Sequence, residues 1–445
     1  MRAIASLLFL LTTLSVWAQD ETALSLSLDE AIQYAVENNY ESQNVKLDAL
    51  INDKIALERV GVGLPDVSAG IVYQHYAKLP VSIIPEGSNF GGQIVPDDIE
   101  LEFGVPHNVN LDFSVSQILV DGRYFIGLKA NKTLKAMSQE QIALTESEVK
   151  NNTAKAYYGV LVAEKRTGIV EKNIATIEKI LSDTKQLYEN GFSEELDVDR
   201  LELQLANMES TLKSSTQQHQ LSLNILKYSM GLDGETGVKL TDDLEKLLSS
   251  SPIVESNAFN PGNRAEYKLL KHQLQMRIYD AKQTALNYAP SIVAFAGYGF
   301  NAQRQKFNIF DFSQNWYQIA YWGIELKMSL FDGFKNGAKY QQKKLDQLKI
   351  DNQIESFELQ ANLEVNQRGT DYKTALEEFD NQNKNLALAE KIYNKVQVMY
   401  KEGLSSSMEL ADAEKSLVET QSNYINSMFD LLVAKSELEK ALGSY

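Results

Sequence analysis

The sequence predicts an α+β fold, mostly α, in which one helix–strand–strand–helix plan occurs twice. Three observations carry that prediction. Trp322, Ile324, Leu326 and Met328 share one parity and Gly323, Glu325, Lys327 and Ser329 the other, the period of two of a strand with one apolar face. From Gly337 to Lys401 the chain has no proline and one isolated glycine, Gly369, and it is rich in Ala, Leu, Gln, Glu and Lys, which is a long helix. Both features then recur at a fixed spacing. Asp121-Gly122 and Asp332-Gly333, 211 residues apart, each stand between an alternating run and a long helical one. Gly191 and Gly403, like Gly231 and Gly443, are separated by 212 residues. Upstream, Asn38-Asn39-Tyr40-Glu41 answers Asn263-Arg264-Ala265-Glu266 and Pro65 answers Pro290, at a spacing of 225. The extra residues of the first copy therefore fall between Pro65 and Asp121. The period is too long for a solenoid, so the chain reads as a tandem duplication of elongated units.

This plan divides the chain into a leader, 1–18, a first repeat, 19–231, a connecting segment, 232–262, and a second repeat, 263–445. Strands are expected at about 66–77 and 108–119, then at about 291–301 and 317–330, with hairpin tips near 191 and 403.

Met1 to Ala18 has one positive charge at Arg2, an apolar run from Ile4 to Leu11 and Val16-Trp17-Ala18 before Gln19, the pattern of a secretory signal peptide. Leu26 to Ile32 then opens a helix, with Ser27 as N-cap and Glu30 as its capping-box partner. A second helix, from about Tyr40 to Val60, stops at Gly61-Val62-Gly63-Leu64-Pro65.

After Pro65 the pattern changes. Val67, Ala69, Ile71, Tyr73 and His75 alternate with small or polar neighbours, as do Val109, Leu111, Phe113 and Val115, and in the second copy Ile292, Ala294, Ala296, Tyr298 and Phe300. Strands of about ten residues with one apolar face suit a tilted bilayer crossing in a closed β-barrel. Pro80 to Pro106, with Gly87, Gly91, Gly92 and Asp97-Asp98, reads as an extended exposed loop. Aromatics gather at the strand ends, at Tyr73, Tyr76, Phe300, Trp316, Tyr317, Tyr321 and Trp322. Four strands cannot close a barrel with a packed interior, so either a second sheet covers them or several chains combine.

The long helices, each of about sixty residues, would reach roughly 90–100 Å. Near Gly191 the apolar positions fall into heptads, Ile174, Ile177, Leu181 and Tyr188 going in and Val198, Leu201, Leu205, Met208 and Leu212 coming out. Ala389, Tyr393, Val396 and Tyr400 precede Gly403, and Leu410, Ala413, Leu417 and Tyr424 follow it. Each repeat thus ends in an antiparallel coiled-coil hairpin with a glycine tip. Leu232 to Gly262 reads as a linker with one short helix near Leu244.

The chain has no cysteine and carries 60 acidic against 43 basic residues, a net charge of −17. Absence of cysteine excludes disulfides, thiolate metal sites and a lipid-modified N-terminal cysteine. The acidic balance disfavours nucleic acid or an anionic membrane surface as partner. It fits a solvated helical surface, and equally an acidic passage for cations. His75, His107, His219 and His272 are scattered along the chain without metal-ligand spacing, and no phosphate-cradling loop or nucleophile elbow is present. The reading is of a non-enzyme with no metal and no cofactor.

The signal peptide, Leu28-Asp29-Glu30-Ala31 opening the mature chain, the duplicated halves, the paired Asp121-Gly122 and Asp332-Gly333 junctions and the paired glycine tips together resemble the TolC-like outer-membrane efflux proteins. The resemblance covers nearly the whole mature chain, and it lies in the order and doubled spacing of the motifs. It implies an outer-membrane homotrimer, in which four strands from each chain close a twelve-stranded barrel in lipid and the helices continue it as a periplasmic coiled-coil tunnel. It also implies a passive channel of a tripartite efflux or type I secretion system, joined to a periplasmic adaptor and an inner-membrane pump. Glu409 and Asp412 then match the two acidic positions of the family's aperture, with Glu in place of the first aspartate, and Tyr400 matches an aromatic of the closing network. Ser405 stands where some members have an arginine. Asp197 corresponds to Glu409 in the first copy, while Arg200 takes the place of Asp412. The tips, Gly191, Phe192 and Ser193 with Gly403, Leu404 and Ser405, would receive the adaptor. Glu409 and Asp412 also fit ordinary first-turn helix acids, stabilised by the helix dipole. A secreted coiled-coil stalk with a small β head is the competing architecture, and it would need no detergent.

Overall fold

The computed structural model describes residues 24–249, 259–311 and 313–444; the signal-peptide segment and the middle of the connecting segment lie outside them. The chain forms two compact units. The first holds residues up to Leu47, Gln141–Tyr267 and Phe357 onward, and the second holds Asp48–Glu140 and Lys268–Ser356.

The chain opens with β1 (Leu24–Leu26), α1 (Leu28–Asn38) and α2 (Tyr40–Gly61). The capping box is present at Ser27, whose backbone N–H and hydroxyl both donate to Glu30 Oε2, at 2.8 and 2.7 Å. Next come β2 (Asp66–His75), the short strands β3 (Val81–Ile84), β4 (Asn89–Phe90), β5 (Gln93–Ile94) and β6 (Ile99–Glu102), and the long β7 (His107–Val120). Two long-armed helices follow, α3 (Gly122–Glu189) and α4 (Glu195–Met230), then β8 (Val238–Leu240) and α5 (Leu244–Ser249). The second copy comprises α6 (Ala265–Ala285), β9 (Ser291–Arg304), β10 (Tyr317–Lys327), α7 (Lys335–Lys401) and α8 (Ser407–Leu442). No helix among the described residues is long and apolar enough to cross a membrane.

In the second unit, β10, β9, β7 and β2 form one antiparallel sheet in that order. Its register sets Val67 opposite Val115, Ile71 opposite Leu111, Leu111 opposite Phe300 and Trp322 opposite Ala296, so the apolar parity of all four strands shares one face. That face is open rather than packed as a core. Val67, Ile71, Trp322, Ile324 and Leu326 are exposed, Trp322 to 82%.

Three sequence expectations are corrected. The strand expected to run to about residue 330 ends at Lys327, because Lys327 pairs with Ser291, the first residue of β9, and Pro290 before it has no N–H to extend the ladder. The loop expected between Pro80 and Pro106 holds two small antiparallel ladders, β3 with β6 and β4 with β5. The connecting segment is more than a linker. Its β8 pairs in parallel with β1, and Asp242 Oδ2 accepts from the Leu28 N–H at 2.7 Å and from the Tyr157 hydroxyl at 3.0 Å.

That segment closes one end of the first unit's larger core, where Ala31, Ala35, Tyr157, Leu161, Leu226, Met230, Leu244, Met428 and Leu432 pack together. A second core lies toward the hairpin tips. There Ile180, Leu181, Val198 and Leu201 of the first hairpin meet Ala389, Tyr393, Leu410 and Leu417 of the second; all but Ile180 are heptad positions read from the sequence, while Tyr188 of the same reading is exposed.

Candidate functional site

The site is built by the two hairpin tips of the first unit, and both are made the same way. α3 ends with Gly191 at φ 78°, where the Phe192 N–H donates to the Leu187 carbonyl (2.8 Å) and the Gly191 N–H to that of Tyr188 (2.9 Å). α7 ends with Gly403 at φ 73°, where the Leu404 N–H donates to Met399 (2.8 Å) and the Gly403 N–H to Tyr400 (3.0 Å). Each is a Schellman stop, which needs a residue in the left-handed region and hence glycine. The residues that follow stand in solvent, Phe192 at 80% exposure and Leu404 at 68%.

The next helix is then started by an acid that reaches back over the turn. Asp197 Oδ2 accepts from the Ser193 hydroxyl at 3.2 Å and from the Glu194 N–H at 3.4 Å. Its counterpart Glu409 accepts through Oε2 from the Ser405 hydroxyl at 2.5 Å and from the Ser406 N–H at 3.0 Å, while the Glu409 N–H donates to Ser406 Oγ at 3.2 Å. The Ser405 hydroxyl, with the Ser406 N–H behind it, holds the Glu409 carboxyl below its ordinary pKa, so it is an anion at neutral pH. Ser405 is thus an anchor for the neighbouring acid.

Asp412, one turn on, is exposed and lines a groove of about 690 Å³ between α4 and α8, together with Arg200 and Lys415. Arg200, its counterpart in the first copy, turns to the other hairpin and donates from Nη1 to Ser407 Oγ at 3.0 Å. Tyr400 is half-buried, and its hydroxyl lies 3.1 Å from Thr184 Oγ1 on α3. Burial raises the Tyr400 pKa; the Thr184 contact lowers it in part and the nearby Asp197 charge raises it further.

Sequence reasoning missed Glu414. It is 3% exposed and is held by a hydrogen bond from Gln204 Nε2 on α4. Burial pushes its carboxyl up to about 7. A signal was present, since Glu414 falls between Leu410 and Leu417 on the buried seam of α8, where an acid is out of place. Thr184 gave no such signal, because its partner stands 216 residues away in the chain.

The strand-to-helix junctions belong to the second unit, and they use the same dipeptide for different reasons. Asp121 grips its neighbour Arg123, with Nη2 donating to Oδ2 at 2.6 Å and the Arg123 N–H to Oδ1 at 2.8 Å. Gly122 there sits close under Leu286, whose side chain would have to give way to a Cβ standing 3.1 Å from it. Asp332 instead caps α7, accepting from the Asn336 N–H at 2.8 Å and from the Tyr288 hydroxyl at 3.0 Å, and Gly333 follows at φ 66°.

Residues 263–444 match the family model described as outer membrane efflux protein. No curated protein matches the sequence. Among solved structures, the MtrE outer membrane channel of Neisseria gonorrhoeae, in its open state, is 17% identical, with 94% of this chain and 88% of that one covered at a TM-score of 0.71. The outer membrane protein VceC of Vibrio cholerae is 15% identical, with 94% and 96% covered and a TM-score of 0.68. The outer-membrane channel OprN is 16% identical, with 94% and 90% covered and a TM-score of 0.70. At these identities the likeness is one of fold, and it runs through nearly the whole chain.

Proposed function

We propose, for a chain that carries the outer membrane efflux protein domain on a TolC-like channel fold, the role of a passive outer-membrane export duct. Three copies close a twelve-stranded barrel in lipid, and their helical hairpins form the gate. Energy comes from an inner-membrane pump of a tripartite efflux or type I secretion system, and a periplasmic adaptor docks on the exposed tips around Phe192 and Leu404.

One observation carries this reading. The four-stranded sheet has unpaired edges at β2 and β10 and an exposed apolar face. Because β2, β7, β9 and β10 alternate in direction, β2 of one copy and β10 of the next run antiparallel. Copies therefore join edge to edge in a ring, which satisfies the edge N–H and C=O groups and turns the apolar face to lipid. A soluble stalk would leave both the edges and Trp322 in water.

At the gate, three copies of Glu409 and Asp412 concentrate negative potential around a narrow axis and favour cations. The test is single-channel conductance of the detergent-purified protein in a planar bilayer, with Glu409→Gln plus Asp412→Asn beside the wild type. A small cation-selective conductance that loses selectivity in the double variant supports the reading. A protein that is monodisperse without detergent and conducts nothing overturns it.

A further inference from the structure

The apolar seam of α4 changes character partway along the helix. Leu201, Leu205, Met208 and Leu212 follow one another at alternating spacings of four and three, and the same spacing then brings Ser215, His219 and Ser222 before Leu226. Ser215 and Ser222 are each 7% exposed, so serines stand buried where the seam asks for large apolar side chains. Beside Ser215 the packing is left incomplete, and a cavity of about 480 Å³ opens between α3, α4 and α8.

Its walls are of two kinds. Ile169, Val170, Val418 and Ile425 form an apolar side, with Val170 and Ile425 fully buried. Arg166 on α3 and Ser215 on α4 supply donors. Arg166 is half-buried, and its Nη2 donates to Ser422 Oγ at 3.0 Å and to Asn426 Oδ1 at 3.2 Å, so neutral groups of α8 hold the guanidinium in place. Among the described residues its Nε and Nη1 have no hydrogen-bond partner, Arg166 makes no ion pair, and no acid lines the cavity. The Ser215 hydroxyl likewise has no partner among the described residues, although the side chain is more than nine-tenths buried. A polar group withdrawn from water in this way costs stability unless something fills the space and pairs with it. In a chain of net charge −17, an uncompensated guanidinium and a free hydroxyl on one cavity select an anion, and the apolar side selects a hydrocarbon body to go with it.

We propose that this cavity binds a small organic carboxylate, with its oxyanion on Arg166 and Ser215 and its apolar body against Val170 and Ile425. A volume of this order suits a ligand of one or two rings. The first unit alone builds the site, so the inference stands apart from the duct reading.

The alternative is a water-filled packing fault with no ligand. Ser215→Leu separates the two, because it restores the seam, fills the cavity and removes the hydroxyl. The experiment is equilibrium dialysis of tag-free full-length protein against naphthalene-2-carboxylate, with the same detergent on both sides. One bound carboxylate per chain is expected, with naphthalene-2-carboxamide, alike in shape and uncharged, at least about tenfold weaker. Arg166→Gln, which keeps a donor for Ser422, should weaken carboxylate binding by a similar factor. Ser215→Leu should abolish it with the thermal unfolding midpoint unchanged or raised, and Lys213→Gln, on the exposed side of the same turn, should leave it unaltered. Wild-type protein with no saturable carboxylate binding, equal binding of the carboxamide, or binding that survives both Arg166→Gln and Ser215→Leu overturns the proposal.

Discussion

The Tyr400 hydroxyl lies 3.1 Å from Thr184 Oγ1, joining the last turn of α7 to α3. It ties one hairpin to the other just behind the glycine tips, as the contacts of Arg200 with Ser407 and of Gln204 with Glu414 do between α4 and α8. Tyr400→Phe removes the hydroxyl and leaves the ring in its apolar seat, a loss of about 1 kcal/mol for a neutral pair. If the tips form the gate, the variant opens more often, and single-channel recordings should show longer open times with unchanged ion selectivity.

Glu414 makes the tips sensitive to pH. Its carboxyl titrates near 7 in the folded chain, against an ordinary 4.5, because burial penalises the charge. The folded state therefore binds the proton more tightly than the unfolded one, so this stability is fully present below about pH 4.5 and is lost as pH rises through 7. The loss is on the order of 3 kcal/mol. Amide hydrogen exchange at the tips, corrected for the intrinsic rate, should become less protected from pH 5 to pH 8 in the wild type. Glu414→Gln should hold protection level across that range.

Arg264 locks the start of the second repeat in the first unit. It is 7% exposed, lies over the Phe357 ring at 5.3 Å, and donates to Glu266 Oε1 at 2.7 Å and Glu364 Oε2 at 2.6 Å. Arg264→Met leaves two carboxylates without their partner and should cost no more than about 3 kcal/mol, because both acids retain some water. Arg264→Lys should recover only part of that, since an ammonium cannot fork to two acids. The thermal unfolding midpoint is the readout, with the order wild type, lysine, methionine.

What could be read from the chain follows from how local each cause is. The left-handed turns at Gly191 and Gly403 announce themselves, because a Schellman stop needs a residue without a Cβ and the duplication repeats it. The same holds for the capping box at Ser27 and for the apolar parity of β2, β7, β9 and β10, which a sheet with one apolar face imposes on neighbouring positions. Contacts between distant segments left no local trace. Tyr400 and Thr184, His75 and His107, and Asp242 with Tyr157 meet only after the strands and hairpins are in register. Glu414 lies between these cases, since its seam position was visible and its burial beneath Gln204 was not.

If copies of this chain close a barrel by joining β2 to β10, a disulfide placed across that seam will capture it. The native sequence has no cysteine, so introduced pairs report without background. β2 and β10 are opposite edges of one sheet, with β7 and β9 between them, so a bond between them forms only from copy to copy. Ile71→Cys should be combined in turn with Ala320→Cys, Trp322→Cys and Ile324→Cys, oxidised in membranes and run on a denaturing gel without reductant. One register should yield covalent dimers and trimers and nothing larger. Monomers at every register, from protein that is folded and membrane-bound, would contradict it.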